Sequence, residues 1–102
     1  MNWTKINHIF RELDLHPDQK KFINCVRFHP TESPEHRKAK FELACEDYDN
    51  GVPFIQEAWS SDRKRRMDHV RFVDDVDERV LEIETTDKRK DNAKTIRIER
   101  EL

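Results

Sequence analysis

Acidic residues at fixed positions in two β-rich segments are the feature that most constrains the fold of this chain. The segment Arg79–Thr85 is mostly apolar apart from Glu82 and Glu84, and it follows the segment 66–73, which contains Asp68. Successive side chains of a strand point to opposite faces, so Glu82 and Glu84 share one face. A hairpin of the two segments would bring Asp68 beside Glu82. Carboxylates that converge in this way repel one another unless a cation lies between them, and magnesium takes oxygen ligands of this kind.

The chain before these two strands predicts two helices and one further strand. Apolar residues recur at helical spacing from residue 2 to about residue 14, which predicts an amphipathic N-terminal helix. Ser33 and Pro34 suit the N-cap and first position of a central helix that ends at about Asn50. Residues 52–59 predict a strand. The apolar stripe of the central helix is predicted to consist of Phe41, Ala44, Cys45 and Tyr48.

Two parts of the chain allow alternative structures. Residues 21–29 alternate imperfectly and fit either a short strand or an extended segment. Residues 87–94 fit a short helix or a turn, whereas residues 95–100 alternate cleanly and predict a strand. The linker before this last strand is too short for a helical crossover to a parallel strand, which usually takes a dozen or more residues. We therefore expect a hairpin or a shortened core at this point.

The order of a helix, a strand, the Asp68 strand and the Glu82 strand resembles the PD-(D/E)XK nuclease superfamily over roughly residues 33–102. That superfamily carries an Asp at the start of one hairpin strand and a Glu-x-Lys on the next. This chain departs from the pattern twice, because Met67 replaces the usual Pro and Glu84 replaces the usual Lys. The resemblance implies an α+β fold with a restriction endonuclease-like or Holliday junction resolvase-like core. Such a core would combine the N-terminal and central helices with a three- to four-stranded, mostly antiparallel sheet.

The resemblance also implies an active site that depends on magnesium or manganese. Asp68 and Glu82 match the metal-holding positions, and Glu35 is the candidate for the Glu that the preceding helix often adds. Glu84 matches the position of the catalytic Lys and would act as a further ligand or a base. The plainer interpretation is that these strand residues face solvent on a half-exposed sheet and that Glu35 is a favourable charge at a helix start. Glu57 fits either a buried position near the acidic residues or a sheet edge.

Two basic runs flank the acidic strand positions and predict contacts with DNA phosphates. One lies at the predicted hairpin tip and the other just after the acidic strand; together they are Arg63, Lys64, Arg65, Arg66, Lys88, Arg89 and Lys90. A charged hairpin tip is also ordinary in a small domain. The formal net charge of −2 gives no global attraction to nucleic acid, so binding would depend on this local patch.

The two cysteines indicate a reducing compartment. Cys25 and Cys45 lack the close spacing of a metal knuckle, which favours two reduced, buried thiols and a cytoplasmic location. Pairing of Cys25 with His29 and of Cys45 with His36 in a zinc site is the weaker alternative. The sequence contains no apolar stretch long enough to span a membrane, so no membrane partner is expected.

With 102 residues, the chain is expected to form one domain. Residues 1–32 would form the N-terminal helix and an extended segment, and residues 33–102 the nuclease-like α-β-β-β core. The expected function is a small metal-dependent nuclease that acts on DNA phosphodiester bonds. The alternative is a catalytically inactive accessory module, encoded by a virus or a mobile element, that binds DNA or protein. An unpaired strand edge at residues 95–100 would suit pairing with a second copy, so a homodimer is also expected.

Overall fold

The computed structural model describes residues 1–84 in full and the backbone of residues 85 and 96–100. The described residues form an α+β fold, as expected. Helices α1 and α2 cover Trp3–Glu12 and Pro34–Asp49, and short 3-10 helices cover Pro17–Phe22 and Val76–Glu78. Strands β1, β2, β3 and β4 cover Phe54–Trp59, Arg66–Arg71, Val80–Thr85 and Ile96–Arg100.

The four strands form one antiparallel sheet in chain order, β1-β2-β3-β4. The predicted meander of three strands is therefore confirmed. Strand β4 pairs with β3 in antiparallel orientation, as expected from a linker too short for a helical crossover. The structure of residues 87–94 and the basic run Lys88, Arg89 and Lys90 lie outside the described residues.

Side-chain caps fix the start of both helices. The Asn2 side chain accepts a hydrogen bond from Lys5 N at 3.1 Å, and Ser33 Oγ accepts one from His36 N at 3.2 Å. Helix α2 is followed by Gly51 with φ of 69°, a conformation that glycine adopts without the steric cost of a Cβ atom. The predicted N-cap and end of the central helix are thus confirmed.

The helices lie against two apolar clusters of the sheet. Cluster one joins α1 to the first three strands, and its buried members are Ile6, Ile9, Phe10, Leu15, Ile55, Ala58, Met67, Val70, Phe72 and Val80. Cluster two joins α2 to β3 and consists of Ala39, Leu43, Leu81 and Ile83. Burial of these apolar side chains is the main stabilising contribution to the fold.

The predicted apolar stripe of α2 is wrong in three of its four positions. Phe41 is 53% exposed and Tyr48 is 67% exposed, and Cys45 is also exposed. The helix instead buries a stripe that contains two charged residues, listed in chain order as Ala39, Lys40, Leu43, Ala44 and Asp47. The reason is physical: Lys40 and Asp47 have buried partners on the sheet, so hydrophobicity alone does not identify the inner face of this helix.

Two other expectations also need correction or refinement. The prediction that both thiols are buried is wrong, because Cys25 and Cys45 are exposed. Residues 21–29 follow the extended alternative rather than the strand, since the 3-10 helix ends at Phe22 and no strand follows before α2. Asn24 and Arg27 in this segment contact β1 through hydrogen bonds between Asn24 N and Phe54 O and between Arg27 N and the Gln56 side chain.

Candidate active site

Six ionisable side chains form one contiguous cluster on the α2 side of the sheet. We call this set the charge cluster; its members are Glu32, His36, Lys40, Glu57, Arg66 and Asp68. Lys40 stands at its centre with a fully buried side chain. The Lys40 Nζ atom lies 2.8 Å from Glu32 Oε2 and 2.5 Å from Glu57 Oε2, and it donates to Arg27 O at 3.2 Å.

The remaining contacts extend the cluster at both ends. Arg66 Nη1 donates to Glu57 Oε1 at 3.1 Å, which joins the basic hairpin to the buried carboxylate. His36 Nε2 lies 3.0 Å from Glu32 Oε2 and 3.6 Å from Asp68 Oδ1, so one imidazole nitrogen is flanked by two carboxylates. Basic and acidic side chains therefore alternate from Arg66 to Asp68 through the interior.

The local sequence explains how these residues meet. His36 and Lys40 are one turn apart in α2 and so project from the same face of the helix. Glu57 and Asp68 stand opposite each other across β1 and β2, between the register pairs Gln56–His69 and Ala58–Met67. The cluster is thus assembled from one face of α2, from Glu32 just before that helix, and from the β1–β2 hairpin.

The strand geometry at this row is irregular. Glu57 has φ of 51°, and neither Glu57 nor Asp68 takes part in the β1–β2 ladder. Before the irregularity, Gln56 hydrogen-bonds to the Lys40 carbonyl and therefore faces α2. After it, Ala58 belongs to the apolar cluster on the α1 side, so the alternation of faces is reversed. A left-handed backbone at a residue with a Cβ atom costs about 1–2 kcal/mol.

The carboxylates predicted from the sequence are only partly brought together. One step beyond the register pair His69–Leu81, Asp68 lies beside Glu82, and Asp68 Oδ2 accepts a hydrogen bond from Ile83 N at 2.9 Å. However, Leu81 and Ile83 pack against α2, so strand alternation directs Glu82 to the opposite face.

Two other predicted site residues lie around this row. Glu84 shares the face of Glu82 and is exposed, whereas Glu82 is half-buried. Glu35 is half-buried in the first turn of α2, immediately before His36. Of the carboxylates predicted as metal ligands, Asp68 contacts the charge cluster through His36.

The donor atoms of the cluster suit a hard cation, although they form no complete cage. Within the part of the chain that the structure describes, no group of three or more His, Cys, Asp or Glu side chains is arranged to hold a metal ion. Magnesium commonly uses only one or two protein carboxylates together with substrate phosphate oxygens. Asp68 and Glu32 are the two carboxylates that lie on either side of His36 Nε2.

Two buried atoms of the cluster make ion-pair contacts without a regular hydrogen bond. Within the described residues neither Glu32 Oε2 nor His36 Nε2 has a hydrogen bond of regular geometry, although Glu32 Oε2 lies 2.8 Å from Lys40 Nζ and 3.0 Å from His36 Nε2. Buried polar atoms are usually hydrogen-bonded, so such exceptions often occur at functional sites. The donor set next to Asp68 is therefore compatible with a further ligand.

The basic hairpin between β1 and β2 places positive charge next to the cluster. Arg63 and Lys64 are exposed, and Arg65 is half-buried. Asp62 shapes the tip, because its Oδ1 accepts hydrogen bonds from Ser60 Oγ at 2.6 Å and from Lys64 N at 3.0 Å. Arg66, at the base of the hairpin, connects this surface to Glu57.

A second buried polar group holds α2 against β2. His69 Nε2 lies 2.6 Å from Asp47 Oδ2, and Arg71 Nε donates to the same carboxylate at 2.9 Å. The His69 ring stacks on Phe54 with centroids 5.2 Å apart, and its Nδ1 lies 3.1 Å from Gln56 Nε2. Burial lowers the pKa of His69, against the opposing effect of Asp47. This group anchors the helix that carries His36 and Lys40.

Sequence reasoning missed two of the six cluster residues and left others open. Glu32 and Lys40 were not candidates, His36 was considered only for zinc, and Glu57 had two alternatives. The usable signal is the His36-x-x-x-Lys40 spacing on a helix, combined with Glu57 inside an otherwise apolar strand. Glu57 is 5% exposed and lies in β1, the first strand of the described sheet, so it is buried and also belongs to an edge strand.

No protein-family model matches the chain, and no curated protein or solved structure is significantly similar to it. No helix among the described residues has the length and apolar character needed to cross a membrane.

Proposed function

We propose that this protein is a metal-dependent nuclease that cleaves DNA phosphodiester bonds, with the charge cluster as its active centre on a reduced restriction endonuclease-like core. The observation that carries the proposal is the position of Lys40, a fully buried cation between Glu32 and Glu57 in the cluster that contains Asp68. Nucleases that resemble this chain place one Lys among their carboxylates. Because Glu84 stands at the usual Lys position, Lys40 is the residue that supplies this charge.

Substrate binding is assigned to the basic hairpin. The exposed side chains of Arg63 and Lys64 would contact phosphates on both sides of the scissile bond, as basic residues do in sequence-independent binding. Arg66 has a side chain that is 35% exposed and also contacts Glu57, so it would bring a phosphate to the edge of the cluster. The local patch thus compensates for the slightly negative net charge of the chain.

The catalytic roles follow from the contacts within the cluster. Asp68 and Glu32 are the residues that would hold magnesium or manganese, and such an ion neutralises phosphate charge and lowers the pKa of bound water. Lys40 fixes the carboxylates of Glu32 and Glu57 in position. His36 Nε2, which lies between Glu32 and Asp68, would accept the proton of the attacking water.

A cleavage assay with matched variants tests the proposal. With magnesium or manganese and a plasmid substrate, Asp68→Asn is expected to lower the cleavage rate by about 100-fold, the size of effect seen when one electrostatic contact to a transition state is lost. Asp74→Asn is the control, because the Asp74 side chain is 90% exposed and contacts Lys5 far from the cluster. Equal residual cleavage by wild type and both variants would identify a contaminant and refute the nuclease proposal.

A second candidate function has its own supporting observation. Both Glu57 carboxylate oxygens already contact protein cations, Lys40 and Arg66, which would suit a DNA-binding module that no longer cleaves. Such a protein would bind DNA through the basic hairpin. Arg63→Gln and Lys64→Gln would then weaken DNA binding. No divalent cation would induce cleavage of the DNA. Glu82→Gln further tests whether the carboxylate on the opposite face contributes to any cleavage observed.

A further inference from the structure

We infer that the cleft at the end of β1 binds an unpaired nucleobase, which stacks on Trp59. The inference rests on the proposed nuclease function and names its substrate class, single-stranded DNA or a single-stranded segment. The cleft has a volume of about 140 Å³, and its lining residues are His16, Asp18, Gln19, Trp59, Ser60 and Arg63.

The lining has the chemistry that single-stranded nucleic acid requires. Trp59 is 37% exposed although it lies in a strand whose other residues are all buried. Aromatic rings that remain accessible beside cationic side chains are typical platforms for base stacking. Arg63 lines the same cleft and stands at the tip of the basic hairpin, so it can contact the phosphate that follows a stacked base.

The backbone of the cleft is fixed in advance by hydrogen bonds. The Gln19 side chain spans the Trp59 backbone, donating to Trp59 O at 2.7 Å and accepting from Trp59 N at 2.7 Å. His16 N also donates to Trp59 O at 3.3 Å, and Ser61 N donates to Asp14 O at 2.7 Å. A site whose backbone is already ordered loses less conformational entropy when a ligand binds.

The cleft lies next to the proposed active centre. Trp59 stands opposite Arg66 in the β1–β2 register, and Arg66 contacts Glu57 of the charge cluster. Two strand residues, or about 7 Å, separate Trp59 from Glu57 along β1. A base stacked on Trp59 would therefore bring a neighbouring phosphate toward Arg66 and the cluster. In a duplex the base faces are already stacked, so the site favours unpaired strands.

Fluorescence titration of the full chain tests the inference directly. The chain has two tryptophans, so Trp3→Phe leaves Trp59 as the sole reporter. With EDTA present to prevent cleavage, a single-stranded oligothymidine is expected to quench the Trp59 fluorescence in the Trp3→Phe protein. A blunt-ended duplex of similar length, without unpaired nucleotides, is expected to leave the Trp59 fluorescence nearly unchanged. Quenching by neither oligonucleotide, or equal quenching by both, would overturn the inference.

Affinity measurements with labelled oligonucleotides give an independent readout. Trp59→Ala is expected to weaken binding of the single strand by about 5- to 150-fold, the effect of losing one stacked base, and to leave duplex binding unchanged. Trp59→Phe is expected to retain most of the affinity, and Trp3→Ala is the control at an exposed tryptophan away from the cleft. Equal losses of affinity for the single strand and for the duplex in Trp59→Ala would contradict base stacking.

The two proposals fail in distinguishable ways. Asp68→Asn is expected to bind the single strand with unchanged affinity while its cleavage rate falls by about 100-fold. If the protein cleaves DNA but Trp59 makes no contribution to single-strand binding, only the stacking site is overturned. If Trp59 binds the single strand but no divalent cation induces DNA cleavage, the nuclease proposal is overturned instead. If Trp59→Ala does not fold, as judged by circular dichroism, the quenching experiment still decides the inference.

Discussion

Glu57 and Asp68 stand directly opposite each other across β1 and β2, and the backbone ladder is interrupted between them. Like charges at directly opposed strand positions are destabilising, and the φ of 51° at Glu57 adds conformational cost. Contacts with other groups offset these costs. Lys40 and Arg66 donate hydrogen bonds to the Glu57 carboxylate, and the Ile83 amide donates one to Asp68. Unfavourable local geometry that the surrounding contacts maintain is typical of functional sites.

Loss of the central cation should destabilise the fold strongly. Lys40→Met leaves the buried carboxylates of Glu32 and Glu57 without their shared partner, and we expect the free energy of unfolding to fall by about 3–5 kcal/mol. Urea denaturation followed by circular dichroism measures this change. Lys38→Met, an exposed lysine of the same helix, is the matched control and should change stability by less than about 0.5 kcal/mol. Equal stability of the two variants would show that the Lys40 ion pairs contribute little.

Stability should decrease as the pH falls below the ordinary pKa of histidine. Burial lowers the pKa of His69 in the folded state, so below pH of about 6.5 the unfolded chain binds a proton that the folded chain does not. The folded state is therefore progressively destabilised from about pH 6.5 downward, until the pH reaches the lowered folded-state pKa. We expect His69→Gln to flatten this part of the pH profile of the unfolding free energy, relative to wild type.

The matched control for this pH dependence is a surface histidine. His8→Gln replaces a side chain that is 56% exposed, and it should preserve the wild-type decrease in stability between pH 7 and pH 5. If His69→Gln leaves the pH profile of the unfolding free energy unchanged, the decrease in stability at low pH comes from other groups. Asp47, Arg71 and Glu46 are the charged residues that face His69, and their own variants would then identify the source.

A side chain at position 51 should strain the end of α2. Gly51 has φ of 69°, and no atom outside its immediate chain neighbours lies within 4 Å of the position that a Cβ atom would take. Gly51→Ala should therefore lower the unfolding free energy by about 1–2 kcal/mol through backbone strain rather than through a clash. Gly51→Asn should cost less, because Asn tolerates this conformation better. Thermal or urea denaturation measures both, and equal costs would contradict a purely conformational origin.

The outer edge of β4 should mediate self-association. Among the described strands, β4 is the last of the sheet and pairs with β3 on one side, so its other edge would offer backbone donors and acceptors to a second copy. We expect light scattering to show a dimer above micromolar concentration and a monomer for a chain that ends at Asp91. A monomer in both cases would refute this prediction.

Elements with strong local signals could be predicted from the sequence. The N-cap at Ser33, the stop at Gly51 and the alternating strands all depend on short-range chemistry, and the structure confirms them. The short linker before residues 95–100 likewise predicted an antiparallel β4. The inner face of α2 could not be predicted in this way, because Lys40 is buried only by partners that are distant in sequence.

The candidate site likewise combines features that the sequence predicts with features that depend on the three-dimensional structure. The place of Asp68 at the start of a hairpin strand could be predicted from the sequence, but strand alternation alone would put its side chain on the face of Glu82. The irregular backbone at Glu57 changes which side chains share a face of the sheet. The residue type at this position does not signal a positive φ. The geometry that joins Asp68 to His36 therefore required the structure.

A manganese soak of crystals of the protein tests the central claim most directly. We predict an anomalous difference peak on the α2 side of the sheet, in contact with the Asp68 carboxylate and next to Glu32 and His36. Asp68→Asn crystals treated in the same way should lack the peak. An ordered manganese ion bound by Glu82 and Glu84 on the opposite face, with none at Asp68, would contradict the assignment of the charge cluster as the active centre.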